Sequence, residues 1–189
     1  MYEMNFTEMM EKQAQLDEFI MLNQNLPGYG VINKCIALSC EVSECLNEWQ
    51  GFKDWKVNNA PKRLEMIEEY ADIMAFAFGI GNALGADKSN ITYNVAYNEK
   101  HRTDVGMCFM ILQQSVLTLY AHLVKYVKEE NGFIRFRDIV REEKAAVLAN
   151  FVLIEMVKLA ATLGLTPEEI EGAYYCKMNI NYDRQKNNY

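Results

Sequence analysis

Two acidic pairs with one shared spacing, Glu41-x-x-Glu44 and Glu69-x-x-Asp72, constrain this chain more than any other feature. Each lies in a stretch whose composition reads as helix, and residues three apart on a helix project from one face. The first pair is set among Ile36, Ala37, Leu38, Cys40, Val42, Cys45 and Leu46, the second among Met66, Ile67, Ala71, Ile73, Met74, Ala75 and Phe76. Carboxylates flanked this closely by apolar residues are expected to be at least half buried, and a buried carboxylate needs a partner. Two such helices side by side bring four carboxylates together, and like charges at close range raise one another's pKa. A hard divalent cation that takes oxygen ligands, Mg²⁺ above all, answers that repulsion and leaves positions for phosphate oxygens. The same pairs also suit ordinary solvated or salt-bridged helix faces. Glu48, four residues after Glu44, and Glu65, four before Glu69, extend both stripes.

The length of 189 residues fits one domain, and with 50% hydrophobic residues the core is sizeable. Helix formers dominate, only three prolines occur, and no long run alternates with period two, which predicts an all-α fold. The formal charge of −7, from 26 acidic and 19 basic residues, does not favour nucleic acid or an anionic membrane as partner. No basic start followed by an apolar run opens the chain, and no stretch reads as long and apolar enough to span a bilayer, so a soluble, cytoplasmic protein is expected. The cysteines, Cys35, Cys40, Cys45, Cys108 and Cys176, are odd in number and lack a C-x-x-C pair. They read as free, largely buried thiols of a reducing compartment. His101 and His122 lie far from the acidic pairs in sequence and read as ordinary surface or core residues.

Six helices are expected. The first runs over about 5–26 and stops at Pro27-Gly28-Tyr29-Gly30. The second, about 32–49, carries Glu41 and Glu44. An aromatic and basic segment, 51–61, leads into the third, which opens near Pro61, carries Glu69 and Asp72, and ends at Gly85. Residues 86–104 read either as an extra helical turn or as a loop. The fourth, about 105–130, is apolar on more than one face, so it is a central helix or one covered by a second chain. The fifth covers about 136–163. Thr166-Pro167-Glu168-Glu169 is a capping box that starts the sixth, which continues close to the C-terminus.

The runs Glu41-Val42-Ser43-Glu44-Cys45-Leu46-Asn47-Glu48-Trp49, Phe52-Lys53-x-Trp55 and Glu68-Glu69-Tyr70-Ala71-Asp72-x-x-x-Phe76 resemble the dimeric all-α dUTPases of the MazG-like superfamily of nucleoside triphosphate pyrophosphatases. Lys177-x-x-x-Asn181-x-x-Arg184-Gln185-x-x-x-Tyr189 resembles that family's closing basic motif, and Gln13-x-x-Leu16-Asp17 the segment that lines its nucleotide site. The resemblance covers about residue 8 to the last residue and is weakest over 86–170. Two positions depart from the family's pattern. Ala75 stands where a histidine is common, and Asn188 where glycine is usual. Neither removes an expected metal ligand.

The resemblance implies a homodimeric helical bundle of the all-α pyrophosphatase type that hydrolyses dUTP to dUMP and pyrophosphate, with dUDP left open as a second substrate. Glu41, Glu44, Glu69 and Asp72 are then the catalytic and metal-binding residues, holding two or more Mg²⁺ ions, with Glu41 orienting or deprotonating the attacking water. Lys53, Lys56, Lys177 and Arg184 are candidates for the phosphates, because their cations match phosphate oxygens. Trp55 and Phe76 are candidates to stack on the base. Gln13 and Asn181 carry donors and acceptors for a pyrimidine edge or deoxyribose, Asp17 lies in the segment lining the site, and Tyr189 ends a tail expected to close over the nucleotide. Two other readings stay open on the residues alone. One is a related pyrophosphatase acting on dCTP or a non-standard nucleotide. The other is a non-enzymatic helical dimer whose acidic stripe is structural.

Overall fold

The computed structural model describes residues 3–26, 30–94, 104–130, 133–136 and 143–187. Six α-helices are present among them: α1 (Thr7–Asn23), α2 (Val31–Trp49), α3 (Arg63–Leu84), α4 (Val105–Leu123), α5 (Glu143–Thr162) and α6 (Pro167–Lys186). The all-α class is as expected, with four short strands added. β1 (Glu3–Asn5) pairs antiparallel with β2 (Thr92–Asn94), which follows a 3₁₀ turn at Lys88–Asn90. That resolves part of the ambiguous 86–104 segment, while residues 95–103, with His101, lie outside the described residues. β3 (Val127–Glu130) pairs antiparallel with β4 (Phe133–Phe136), Glu130 facing Phe133 across the two-residue Asn131-Gly132 connection. The expectation that the fourth helix reaches residue 130 and the fifth begins at 136 is therefore corrected. Asn-Gly between runs rich in β-branched and aromatic residues is a hairpin signal that outweighs helix propensity there.

The centre of the bundle is α3, which packs against α1, α2, α5 and α6. Its buried residues cover its circumference: Met66, Ile67, Tyr70, Ile73, Met74, Ala77, Phe78, Ile80 and Leu84. Phe78 meets Phe6 at 5.7 Å and Tyr174 of α6 at 5.6 Å between ring centroids. The Tyr70 hydroxyl donates to the Met156 carbonyl of α5 (3.0 Å), so this buried polar tip is satisfied. α3 stops at Gly85, whose φ of +71° is the left-handed conformation that glycine adopts without steric cost.

A second face of α2 is taken up by α4. Gln113 of α4 donates to the Ser39 carbonyl (3.0 Å) and the Ser43 hydroxyl (2.9 Å) and accepts from the Ser39 hydroxyl (3.0 Å). With Leu38, Val42 and Cys45 buried in the core, α2 has one side left for its acidic pair. α4 itself lies at the flank, packed on α2 and α5, and leaves Met107, Met110, Ile111 and Leu117 exposed. It is not the central helix of the chain.

Two helices, α4 and α5, are long and apolar enough by length and composition to cross a bilayer, which corrects the expectation that no stretch is. Gln113, Gln114, Ser115 and Thr118 interrupt the apolar run of α4 without adding charge, so the segment's overall hydropathy stays high. Here each helix buries one face in the bundle, Phe109, Leu112 and Val116 from α4 and Val152, Leu153 and Met156 from α5. The thiols are free, with Cys35, Cys45 and Cys108 buried and Cys40 and Cys176 exposed.

α6 carries basic and amide residues toward the acidic pairs, and its start is fixed from two sides. The Thr166 side chain accepts from the Glu169 amide (3.2 Å) while Glu169 Oε2 accepts from the Thr166 amide (2.8 Å). Glu169 also receives a two-pronged Arg63 guanidinium, at 2.9 and 2.7 Å, which ties the start of α3 to the start of α6. Removing the cap in Thr166→Ala is expected to lower unfolding free energy by about 1 kcal/mol. Urea denaturation followed by circular dichroism measures this, and an unchanged midpoint would show that the box contributes nothing.

Candidate active site

The packing of α2 on α3 makes the acidic stripes converge. Oxygens of Glu41, Glu69 and Asp72 all lie within 4.8 Å of one another. Glu44 lines the same cleft, more exposed than the other three and outside that tight group. Glu48 does not extend the stripe into the cleft: it pairs with Lys62 at 2.8 Å. Glu65 is exposed and does not line the cleft either.

The cleft has a volume of about 430 Å³ and is built from four helices. α2 and α3 supply the carboxylates. α6 supplies Lys177, Asn181, Arg184 and Gln185, the first three spaced by four and three residues and hence on one face. α1 supplies Gln13, Leu16, Asp17 and Ile20, which with Ala75 and Phe76 of α3 make the other end less acidic and more apolar. The end of α6 is held to the end of α1. Asn23 donates to the Gln185 carbonyl (2.7 Å), Gln24 to Gln185 Oε1 (3.0 Å), and Phe19 meets Tyr182 at 5.3 Å.

Electrostatics follow from the crowding. Burial, then the charges of Asp72, Glu44 and Glu69, push the Glu41 carboxyl up to about 7. Glu69 is raised by burial and by Asp72 and Glu44. Burial also raises Asp72, although Lys177 opposes this by a direct ion pair. At Lys177 burial works against the ammonium, while Asp72 and Glu69 together favour it by more, so its pKa is raised. One lysine thus bears on three carboxylates and does not neutralise them.

Of the expected site residues, Glu41, Glu44, Glu69, Asp72, Gln13, Asp17, Phe76, Lys177, Asn181 and Arg184 share this cleft. Lys53, Trp55 and Lys56 do not line it. Lys53 Nζ donates to the Asn47 carbonyl (2.9 Å) and side chain (2.6 Å), and Lys56 Nζ to Gln50 Oε1 (2.5 Å). Both ammoniums fold back on the C-terminal end of α2, where the helix dipole and orphan carbonyls favour cations. Trp55 is 73% exposed and packs edge-on against Phe52. Tyr189 and Asn188 lie outside the described residues. Sequence reasoning passes over Ile20 and Gln185 of the lining, and Lys34, which sits just behind it. Lys34 has a legible signal: it falls in the buried stripe Lys34, Cys35, Leu38, Val42, Cys45, where a charge has to be paired.

A family profile described as dUTPase matches residues 5–189. The chain belongs to the dimeric all-α dUTPase family. No curated protein matches it. Membership makes the chain a dUTP diphosphatase acting on a nucleotide substrate, and the family as a whole uses a divalent metal. The donor set fits that requirement. Clustered carboxylate oxygens are hard ligands, their mutual repulsion is only partly relieved by Lys177, and no thiol or imidazole is among the cleft's lining residues.

The raised Glu41 pKa sets a pH dependence for the metal-free protein. A carboxyl whose folded pKa lies above its ordinary 4.5 holds its proton longer in the folded state. Its contribution to stability is therefore present at low pH and lost as pH rises toward about 7. Glu41→Gln removes that dependence. In chelator, the melting temperature of the variant relative to wild type is expected to climb between about pH 5 and pH 7 and to level off above. A difference independent of pH would contradict the crowding described here.

Proposed function

We propose that this cleft performs Mg²⁺-dependent hydrolysis of dUTP to dUMP and pyrophosphate, with dUDP as a further substrate. The carrying observation is the convergence of Glu41, Glu69 and Asp72 beside Glu44, facing Lys177 and Arg184 across one cleft. Glu41, Glu44, Glu69 and Asp72 would hold two or more Mg²⁺ ions. When bound, the metal supplies neutralisation of phosphate charge and acidifies the attacking water. Glu41 orients that water and takes its proton. Lys177 and Arg184 neutralise and orient phosphate oxygens. Leu16, Ile20 and Phe76 offer an apolar wall for the base, with Phe76 stacking on it. Gln13, Asp17 and Asn181 read its polar edge.

The functional unit is proposed to be a homodimer. Met107, Met110, Ile111 and Leu117 of α4, with Val147 and Phe151 of α5, form an exposed apolar surface on two helices that pack on each other. Covering such a surface with a second copy removes apolar area from water. Lys53, Trp55 and Lys56 remain proposed substrate-contacting residues only by resemblance, since within one chain they do not reach the cleft.

Each of Glu41→Gln, Glu44→Gln, Glu69→Gln and Asp72→Asn keeps side-chain size and removes the charge. Pyrophosphate release from dUTP with saturating Mg²⁺ is expected to fall on the order of a hundredfold or more in each, with the fold retained. Wild-type turnover in two of the four would sink the metal-site assignment. Light scattering at micromolar concentration is expected to return twice the 21.9 kDa chain mass. A clean monomer would reject the dimer.

A further inference from the structure

Lys34 takes no part in the reaction described above, yet it is among the most buried charges of the protein, with 4% of its surface exposed. Its ammonium pairs with Asp17 Oδ2. The other oxygen, Asp17 Oδ1, accepts from Gln13 Nε2 at 3.0 Å. Gln13 Oε1 in turn faces the Tyr174 hydroxyl at 3.2 Å, which also donates to the Met9 carbonyl at 2.9 Å. The chain Lys34, Asp17, Gln13, Tyr174 therefore runs from α2 through α1 to α6, and its two middle members line the cleft. α3 is shaped around it. A Cβ placed on Gly79 would stand 2.6 Å from Lys34 Nζ and 2.9 Å from Asp17 Oδ2, so a side chain there would require the pair to shift.

Buried ion pairs are weak contributors to stability when compared with apolar residues of the same volume. This one has a consequence that an apolar pair would lack. An ionised Asp17 only accepts hydrogen bonds, so the Gln13 amide must turn its nitrogen toward it. That leaves Gln13 Oε1 to Tyr174 and fixes where the remaining N–H lies. Without the Lys34 ammonium, Asp17 loses the partner that fixes its carboxylate, and with it the fixed acceptor that holds the Gln13 nitrogen. The amide is then free to flip, and the cleft shows an acceptor where it had shown a donor.

We propose that Lys34 is a specificity-positioning residue: by holding Asp17 as an acceptor it locks the Gln13 amide in the orientation that accepts a uracil edge and rejects a cytosine edge. The two bases differ at this level, since uracil carries a carbonyl acceptor at position 4 where cytosine carries an amino donor. A donor fixed by the protein pairs with the first and opposes the second, and a buried polar group left unpaired is costly. Lys34 never touches the nucleotide. It acts through Asp17 and Gln13, so the assignment rests on the dUTP-hydrolysing reading of this cleft.

The test compares kcat/KM for dUTP and dCTP in wild type and Lys34→Met, with Mg²⁺ saturating. Loss of positioning is expected to shrink the dUTP preference by roughly tenfold or more, chiefly through a rise in dCTP turnover. A merely structural lysine would lower both activities together and leave the ratio alone. Because a lone buried Asp17 can hinder folding, the same ratio is read in the double variant Lys34→Met with Asp17→Asn, which removes both charges. The neutral amide that this double variant carries in place of the Asp17 carboxylate presents either a carbonyl or an N–H to Gln13, so the preference is expected to stay low there as well. A wild-type ratio, within about twofold, in whichever variant folds would overturn the assignment. Wild-type protein that turns over neither nucleotide would instead overturn the dUTPase reading, and this assignment with it.

Discussion

Repulsion among carboxylates that helix packing holds together is the interaction on which the rest of the site depends. α2 and α3 cannot separate their acidic stripes without opening the core, because Leu38, Val42 and Cys45 are buried where α2 packs on the same central helix that carries Glu69 and Asp72. Hydrophobic packing thus keeps like charges at close range, and the resulting tension is expressed as raised carboxyl pKa values. Lys177 offsets part of it. A divalent cation held there, as proposed, would offset more and couple the stability of the bundle to its binding.

The helix that brings Lys177 also explains how one cleft combines an acidic end with a less acidic, more apolar end. α6 starts at a capping box clamped by Arg63, and Tyr174 is buried against Phe78, so the first half of the helix is anchored in the core. The second half projects Lys177, Asn181 and Arg184 along one face at successive turns. α1 packs against it and adds Gln13 and Asp17, themselves buried and linked to Tyr174 and Lys34. The groups proposed to bind phosphate and to read the base are therefore fastened to the same rigid frame, which suits a reaction that depends on positioning.

Much of this is legible in the chain. The acidic pairs announce themselves by spacing and apolar setting, Gly85 ends α3, and Thr166 to Glu169 open α6 as a capping box. The β3–β4 hairpin escapes a reading by periodicity because the long apolar run before it looks helical, and Asn131-Gly132 then looks like a simple helix stop. Lys53 and Lys56 look like phosphate ligands by type. Local backbone bonds fold their segment back onto α2, Lys53 N–H to the Gln50 carbonyl at 2.8 Å and Lys56 N–H to the Lys53 carbonyl at 2.9 Å. That competition between a helix end and a ligand for the same cations is invisible in composition.

Periodicity and residue type determined, by themselves, the helical class and the faces of α2 and α3, while the family followed from the likeness of whole motifs and from the profile match over residues 5–189. The class and the faces are properties of residues within a few turns of each other. Tertiary structure alone decided which helix is central, that α4 flanks the bundle with apolar residues exposed, and that the buried Lys34 meets Asp17 beside Gly79. Each of these turns on contacts between residues far apart in the chain. Their geometry is set by how whole helices pack, and no local spacing encodes it.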